Sequence, residues 1–497
     1  MLFNSYAFIF CFFPIVLLGF FLIGKRNVRA AAGFLALASL FFYGWWSVEV
    51  LPLLLASICF NYWAGLRLTR GPGRTDAGRK RMLVFALVVN LGVLATFKYA
   101  NFFLGNVNEG IAAAGFTPLP MLHIALPIGI SFYTFTQIAF LVDCWQDKVH
   151  ERSFVHYLLF VTYFPHLIAG PVLHHAQMMP QFANPSTYRI DLEKISLGLA
   201  IFVFGLAKKL LIGDKVGEYA DLMFNGVHHG TMPMLYTAWI GVLAYTLQIY
   251  FDFSGYSDMA VGLSLCLGVK LPLNFNAPYK STNIIEFWRR WHISLSTFLR
   301  DYLYIPLGGN RKGPARRYLN LFITMLLGGL WHGAAWTFVI WGGLHGTYLV
   351  INHLWNGKVR RDSKPGRLAK VLGWFLTFLG VMIAWVVFRA ESMHAAMEIY
   401  KAMLGFHGTA LEAFTEFGPV PSRKPEFFQT LLVGLFICLA LPPTITLQRW
   451  VPQAQSLAGR PRASLVFTAF MALVTVLLLG YCVSKLGSYS PFLYFQF

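Results

Sequence analysis

Apolar runs long enough to cross a lipid bilayer recur from one end of the chain to the other. A span needs about 20 apolar residues, and it must bond its own backbone because the hydrocarbon core holds no water. The runs lie roughly at residues 6–23, 31–46, 48–66, 82–98, 122–142, 154–173, 195–212, 235–251, 256–273, 319–334, 335–355, 371–388, 427–447 and 464–485. With 57% hydrophobic and 12% charged residues among 497, the chain is predicted to be an all-α polytopic membrane protein.

The basic residues are concentrated in the short gaps between these runs, although the net charge is +19. In a soluble chain such a charge would suggest a nucleic acid partner. Here the positive-inside rule predicts cytoplasmic loops, so we expect a lipid bilayer and no nucleic acid. The same rule predicts an extracytoplasmic N-terminus and an extracytoplasmic C-terminal tail, SPFLYFQF.

Several runs contain residues that a simple membrane span does not tolerate. Glycine and proline at 170–171 and two glycines at 328–329 predict broken or re-entrant helices, which occur only where protein or a cavity surrounds them. Asp252 and Asp258 flank Ser254 in another run, and buried acids need partners. Two interpretations stay open: these acids cap a broken helix, or they line a substrate path.

The segment 282–304 is too charged to cross lipid, yet it is rich in large apolar residues. This composition predicts an amphipathic helix at the interface or inside the bundle near its cytoplasmic side. In such a helix Trp288 and His292 share a face, which turns the imidazole inward. Arg289 and Arg290 can meet phosphate groups. Plain positive-inside topology accounts for these two arginines equally well.

His332 lies in the apolar stretch LLGGLWHGAAWTFVIWGGLHG, and no acidic residue follows Asp301 before that stretch ends. An ionisable side chain in such a setting indicates a functional site, and a neutral imidazole can act as a base. The alternative is a core histidine bonded to a backbone carbonyl. His166, His174 and His175 have no acidic or cysteine ligand at a usual spacing, so no metal site is predicted.

Five motifs follow one another in the order KYANFF (98–103), PHLIAGPV (165–172), YFDFSGYSDMAVGL (250–263), EFWRRWHISLSTFLRDYLYIPLGGNRKG (286–313) and GGLWHGAAWTFVIWGGLHG (328–346). This series closely resembles the bacterial membrane-bound O-acyltransferases, in the branch of alginate O-acetyltransferase membrane proteins. The resemblance covers essentially the whole chain. It implies roughly 11 to 14 transmembrane, re-entrant and interfacial helices around a central tunnel. We expect a single domain, 1–497, with a catalytic core at about 90–390 and additional helices at about 390–497.

The resemblance implies that His332 is the catalytic histidine and that His292 lines the active tunnel, as a second acid or base or in substrate positioning. Acetyl transfer needs a base for the attacking hydroxyl, donors for the oxyanion and exclusion of bulk water. The predicted substrate- and cofactor-binding residues are Trp288, Arg289, Arg290, Trp331, Asp252 and Ser254.

The activity implied by the resemblance is transfer of acetyl from cytoplasmic acetyl-CoA across the bacterial inner membrane, for O-acetylation of an exopolysaccharide. Acetyl-CoA is the donor substrate, and no permanently bound cofactor is expected. An extracytoplasmic SGNH-type acetyltransferase partner would receive the acyl group. Both an acyl-histidine and direct transfer fit these residues.

Three other functions stay open from the residues. One is D-alanyl transfer from a carrier protein to a cell-wall polymer, because that family has similar RWH and WHG motifs. The second is a polysaccharide transporter, because broken helices and polar residues within the membrane also mark carriers. The third is a scaffold that anchors outer enzymes. The stretch HHAQMMPQF (174–182) departs from the alginate pattern and leaves alginate, cellulose, other exopolysaccharides and peptidoglycan open as acceptors.

Overall fold

The computed structural model of the chain describes residues 1–71, 73–168, 170–358, 366–409, 425–447, 462–487 and 492–493. Within these ranges the regular structure is helical, and none of the described residues forms a strand. Five helices are long and apolar enough to cross a membrane: Ala7–Gly24, Leu51–Leu68, Asp76–Ala113, Leu192–His228 and Arg367–Arg389. The predicted all-α membrane fold is therefore confirmed. Of the tail SPFLYFQF, only residues 492–493 are among those described.

The chain divides by its contacts into two compact units. Among the described residues, the first unit contains Met1–Phe202 and Met259–Pro272. Its helices are α1 (Phe13–Gly24), α2 (Val28–Gly44), α3 (Leu51–Leu68), α4 (Asp76–Leu94), α5 (Ala100–Ala113), α6 (Ile130–Trp145), α7 (Phe154–Thr162), α8 (His175–Ala183) and most of α9 (Leu192–Ala207). Asn27 and Thr75 cap α2 and α4 by accepting backbone N–H bonds, which satisfies donors that a helix start leaves open.

The second unit contains Val203–Asp258 and the described residues from Leu273 onward. Its helices are α10 (Asp214–His228), most of α11 (Leu235–Cys266), α12 (Ile284–Arg290), α13 (Ile293–Leu299), α14 (Gly313–His332), α15 (Trp336–Lys358), α16 (Arg367–Arg389), α17 (Met393–Met403), α18 (Pro425–Ala440) and α19 (Arg462–Ser484). Both predicted catalytic histidines belong to this unit. The division describes packing alone, so the single domain stays a prediction.

The two dipeptides that predicted helix breaks, Gly-Pro at 170–171 and Gly-Gly at 328–329, have different outcomes. The described residues between α7 and α8, 163–168 and 170–174, are non-helical, so the break near 170–171 is confirmed. The break at 328–329 is wrong, because α14 continues to His332. A Cβ at Gly329 would collide with the carbonyl oxygen of Phe338 on α15. The glycine serves close helix packing instead, and the chain leaves the helix at Gly333.

The single amphipathic helix predicted for 282–304 is also wrong. Helix α12 ends at Arg290, and His292 adopts a left-handed conformation with φ 42° before α13 begins. The backbone N–H of Ile293 donates to the Asn274 carbonyl at 3.0 Å, and such bonds to a neighbouring loop replace the helical ones. Trp288 and His292 therefore do not share a helical face, although the His292 side chain still points inward.

Helix α11 runs without a break across the two apolar runs 235–251 and 256–273 as far as Cys266. The interpretation that Asp252 and Asp258 cap a broken helix is therefore wrong. Each aspartate pairs with a lysine instead: Asp252 with Lys209 at 2.5 Å and Asp258 with Lys208 at 2.6 Å. Both lysines follow α9 directly, in a π-helical turn at Lys208–Gly213.

Candidate active site

His332 is the last residue of α14, and aromatic rings enclose it. The His332 ring centroid lies 4.9 Å from that of Trp331, 5.1 Å from that of Trp341 and 5.2 Å from that of Phe388. Only 6% of the residue is exposed. Walls of this kind exclude bulk water, which protects a reactive acyl group from hydrolysis and strengthens local electrostatic interactions. The surroundings suit an imidazole that handles a proton.

His292 is fully buried, and the side chain of Asn274 orients it. The His292 Nδ1 and the Asn274 Oδ1 are 3.1 Å apart. The same oxygen accepts the backbone N–H of Ser294 at 3.3 Å and its hydroxyl at 2.9 Å, which identifies it as the amide oxygen. Because a carbonyl oxygen only accepts, Nδ1 carries the hydrogen and Nε2 holds the lone pair.

Burial also keeps the His292 ring neutral. The residue lies between α12 and α13, outside the five helices that are long and apolar enough to cross a membrane. Desolvation lowers its pKa to about 3. A neutral imidazole with a lone pair on Nε2 is competent to accept a proton at physiological pH.

The structure brings the two predicted catalytic histidines together. Their ring centroids lie 6.4 Å apart at an interplanar angle of 61°. Trp331 also contacts His292, with centroids 6.1 Å apart, so this predicted substrate-binding residue touches both imidazoles. Phe253 of α11 lies edge-on to His292 at 4.8 Å. Three segments distant in sequence thus meet at one buried site.

Trp288 connects the site to a further histidine that the sequence analysis did not single out. Its indole Nε1–H donates to Nδ1 of His345 at 3.3 Å. His345 is fully buried on α15, one turn beyond Trp341, and the two ring centroids lie 4.8 Å apart. The signal was present in the sequence, because WGGLHG places Trp341 and His345 on one helical face.

The two predicted phosphate-binding arginines differ in their surroundings. Arg289 is exposed, whereas Arg290 is half-buried and binds Glu286 at 2.7 Å. Burial would raise the pKa of Glu286, but hydrogen bonds from Thr282 and the Arg290 guanidinium hold it below its ordinary value. Glu286 therefore stays ionised and neutralises part of this basic surface. Phosphate binding by either arginine stays a prediction.

Asp252 and Ser254 are buried on α11. Besides its ion pair with Lys209, Asp252 accepts the backbone N–H of Leu493 at 3.0 Å. Of residues 252–254, Phe253 is the one whose ring contacts His292. Substrate binding by Asp252 and Ser254 stays a prediction.

The histidines for which no metal site was predicted have other partners. The His175 Nδ1 lies 2.9 Å from an Asp143 carboxylate oxygen, and the His166 Nε2 lies 3.0 Å from the Phe160 carbonyl oxygen. Within the part of the chain that the structure describes, no three histidine, cysteine or acidic residues form a group able to hold a metal ion.

Comparison with known proteins gives consistent matches. The model of the membrane-bound O-acyltransferase family matches residues 46–394, a range that includes His292, His332 and His345. The chain is 42% identical to the peptidoglycan O-acetyltransferase of Helicobacter pylori, over 83% of this chain and 81% of that protein. It is 41% identical to the "Probable alginate O-acetylase AlgI" of Azotobacter vinelandii, over 100% of both chains. With the teichoic acid D-alanyltransferase of Streptococcus thermophilus it shares 28% identity, over 52% of this chain and 68% of that protein.

Proposed function

The chain belongs to the membrane-bound O-acyltransferase family, on its alginate O-acetyltransferase branch, and from this premise we propose that its histidine pair transfers acetyl from cytoplasmic acetyl-CoA. Membrane-bound O-acetylation of a polysaccharide is the activity that its relatives support. Because the chain is an acyltransferase, a polysaccharide transporter and a mere scaffold are set aside.

The proposal is carried by one observation, the 6.4 Å approach of two buried imidazoles within aromatic walls. His332 takes the proton from the attacking hydroxyl, and the hydroxyl oxygen forms a bond to the thioester carbonyl carbon. The carbon–sulfur bond then breaks, and the coenzyme A thiolate recovers the proton from the imidazolium. His292, held by Asn274, positions the reacting groups or serves as a second acid or base.

The donor would approach from the cytoplasmic side of the inner membrane. Arg289 is exposed and free of the Glu286 ion pair that occupies Arg290, so it is the better placed of the two to meet a phosphate of coenzyme A. The acceptor would approach from the opposite side. An extracytoplasmic SGNH-type partner would then receive the acetyl group and complete its transfer to the polymer, as the resemblance implied.

The acceptor that we favour is an exopolysaccharide of the alginate type, because the alginate O-acetylase of Azotobacter vinelandii matches over 100% of both chains. Peptidoglycan is the second candidate, because the Helicobacter pylori enzyme is 42% identical over 83% of this chain. Incubating membranes that contain this chain and its partner with each polymer and measuring ester-linked acetate distinguishes the two.

The donor is tested with the full chain and its extracytoplasmic partner in liposomes, with the polymer as acceptor. Acetyl-CoA labelled in its acetyl group is compared with a carrier protein loaded with D-alanine. We expect label to appear on the acceptor from acetyl-CoA and no D-alanyl transfer. Transfer from the carrier protein without any from acetyl-CoA would contradict the proposed donor and favour the D-alanyl alternative.

A further inference from the structure

His345 lies in the same aromatic cluster as His332, and the mechanism above gives it no task. Its ring is fully buried and stacks on Phe287, with centroids 6.2 Å apart at an angle of 8°. Its ring centroid also lies 4.8 Å from that of Trp341, and the Trp341 centroid lies 5.1 Å from that of His332. Both imidazoles therefore lie against one indole ring.

The hydrogen bond from Trp288 defines which nitrogen of His345 carries the proton. The indole Nε1–H donates to Nδ1 at 3.3 Å. An indole nitrogen is a donor only, so Nδ1 must offer its lone pair. A neutral ring in that arrangement carries its hydrogen on Nε2. His345 is therefore held as a neutral hydrogen-bond donor.

The Nε2 of His345 is buried, and it has no hydrogen-bond partner among the residues that the structure describes. Leaving a buried donor unsatisfied is costly in free energy, so buried polar groups nearly always have partners. A group kept in this state beside an active site is explained if its partner arrives with the substrate.

The packing of α14 against α15 fixes His345 relative to His332. A Cβ at Gly342 would collide with the carbonyl oxygen of Met325, so the two helix backbones are in direct contact. Gly342 lies between Trp341 and His345 on α15. The register of the two helices therefore sets the distance that an acyl group must bridge between the imidazoles.

We infer that the Nε2–H of His345 donates a hydrogen bond to the carbonyl oxygen of the acyl group during its transfer. This inference rests on the proposed function. When the hydroxyl oxygen bonds to the carbonyl carbon, the carbonyl oxygen gains the negative charge, and a preorganised N–H stabilises it. The carbonyl re-forms as the thiolate leaves. His345 keeps its proton throughout, whereas His332 takes up a proton and returns it.

Three substitutions test which nitrogen of His345 matters. In His345→Gln the amide NH2 group reaches the place of Nε2, whereas in His345→Asn the amide lies near the place of Nδ1. His345→Phe keeps the ring and removes both nitrogens. We expect kcat of the glutamine variant within about 10-fold of the wild type, and losses of about 10²–10³-fold for asparagine and phenylalanine with KM unchanged.

The control is His394→Gln, which removes a histidine whose side chain is 80% exposed in the same unit and should leave kcat unchanged. The amount of each variant in the membrane and its melting temperature in detergent show that it folds. If the phenylalanine variant does not accumulate in the membrane, the comparison of kcat between the glutamine and asparagine variants tests the inference. Wild-type kcat in the phenylalanine variant would overturn the inference. Equal losses of kcat in the glutamine and asparagine variants would also overturn it. Activity in the asparagine variant alone would do the same, because it would assign the role of His345 to its hydrogen bond with Trp288.

Failure of the proposed function has a different signature. If the wild type uses a carrier-bound thioester and not acetyl-CoA, the proposed donor is wrong. The three variants are then measured with that thioester, because its carbonyl oxygen develops the same charge. With either donor, we expect a higher kcat for the glutamine variant than for the asparagine and phenylalanine variants. If this order is absent, the inference about His345 is wrong, whichever donor the enzyme uses.

Discussion

The imidazole rings of His292 and His332 lie 6.4 Å apart, although one residue follows α12 and the other ends α14. The break in the chain at His292 makes this approach possible. A left-handed residue between two short helices turns the side chain toward α14, and Asn274 holds it there. The position of the His292 ring thus depends on Asn274, a loop residue that is distant in sequence from both histidines.

Replacing Asn274 with leucine should reduce catalysis more than stability. The leucine cannot accept the His292 Nδ1–H, so the ring loses its fixed orientation and its fixed tautomer. Small misplacements of reacting groups cost about 10²-fold in rate, and we expect a loss in kcat of that order. The exposed Asn276 in the same loop provides the control, and Asn276→Ala should be silent. An Asn274→Leu enzyme with wild-type kcat would mean that this hydrogen bond is irrelevant to transfer.

Two adjacent glycines on α15 should respond differently to alanine. At Gly342 the added methyl group would collide with the Met325 carbonyl oxygen, whereas at Gly343 its nearest contact is a Leu326 methyl group 3.6 Å away. Gly342→Ala must therefore push α15 from α14 and displace Trp341 from His332. We expect a lower melting temperature in detergent and reduced acetyl transfer for Gly342→Ala only. If the two variants have the same melting temperature and the same rate of acetyl transfer, the close contact between α14 and α15 is not required.

The ion pair between Lys209 and Asp252 should behave as a structural element. Each side chain is 3% exposed. Removing one partner of a buried pair costs about 3–5 kcal/mol, because a charge is left without compensation, whereas replacing both is far less harmful. Lys209 also binds Asp214 at 2.6 Å, but the Asp214 side chain is 26% exposed and can be solvated when the lysine is removed. Lys209→Met should thus be strongly destabilised in detergent, and the double variant Lys209→Met with Asp252→Leu should recover part of the loss.

The same double variant addresses the predicted substrate role of Asp252. A stable but inactive double variant would support that role, and a stable, active one would exclude it. A double variant as unstable as Lys209→Met alone would contradict the structural account, because neither fully buried charge is then present and only the partly exposed Asp214 has lost a partner. The Lys208–Asp258 pair, at 15% and 14% exposure, is the milder comparison, from the adjacent lysine and a later aspartate of α11.

The sequence indicated the two histidines proposed as catalytic because an ionisable group within apolar residues is costly and needs a reason. His345 carried the same signal, but its hydrogen bond with Trp288 depends on the packing of α12 against α15, which no local pattern reveals. The sequence analysis did not predict a role for Asn274 for a similar reason. An asparagine in a loop is ordinary until tertiary structure brings an imidazole to it.

The errors in secondary structure have a common physical origin. Apolar and charged residues alternate through 282–304 with helical spacing on both sides of the break, so periodicity alone predicts one helix. Adjacent glycines, as at 328–329, are equally compatible with a helix break and with close helix contact. Only the presence of α15 against α14 decides between these two outcomes.

Substitution of His332 by glutamine tests the central claim most directly. The measurement is the initial rate of acetyl transfer from labelled acetyl-CoA to the polymer, in membranes that contain the partner protein, with equal amounts of wild-type and variant chain. General base catalysis contributes about 10²–10⁴-fold, so the rate should fall by at least the lower value while the variant still folds and assembles. A His332→Gln chain that acetylates at the wild-type rate would contradict the account.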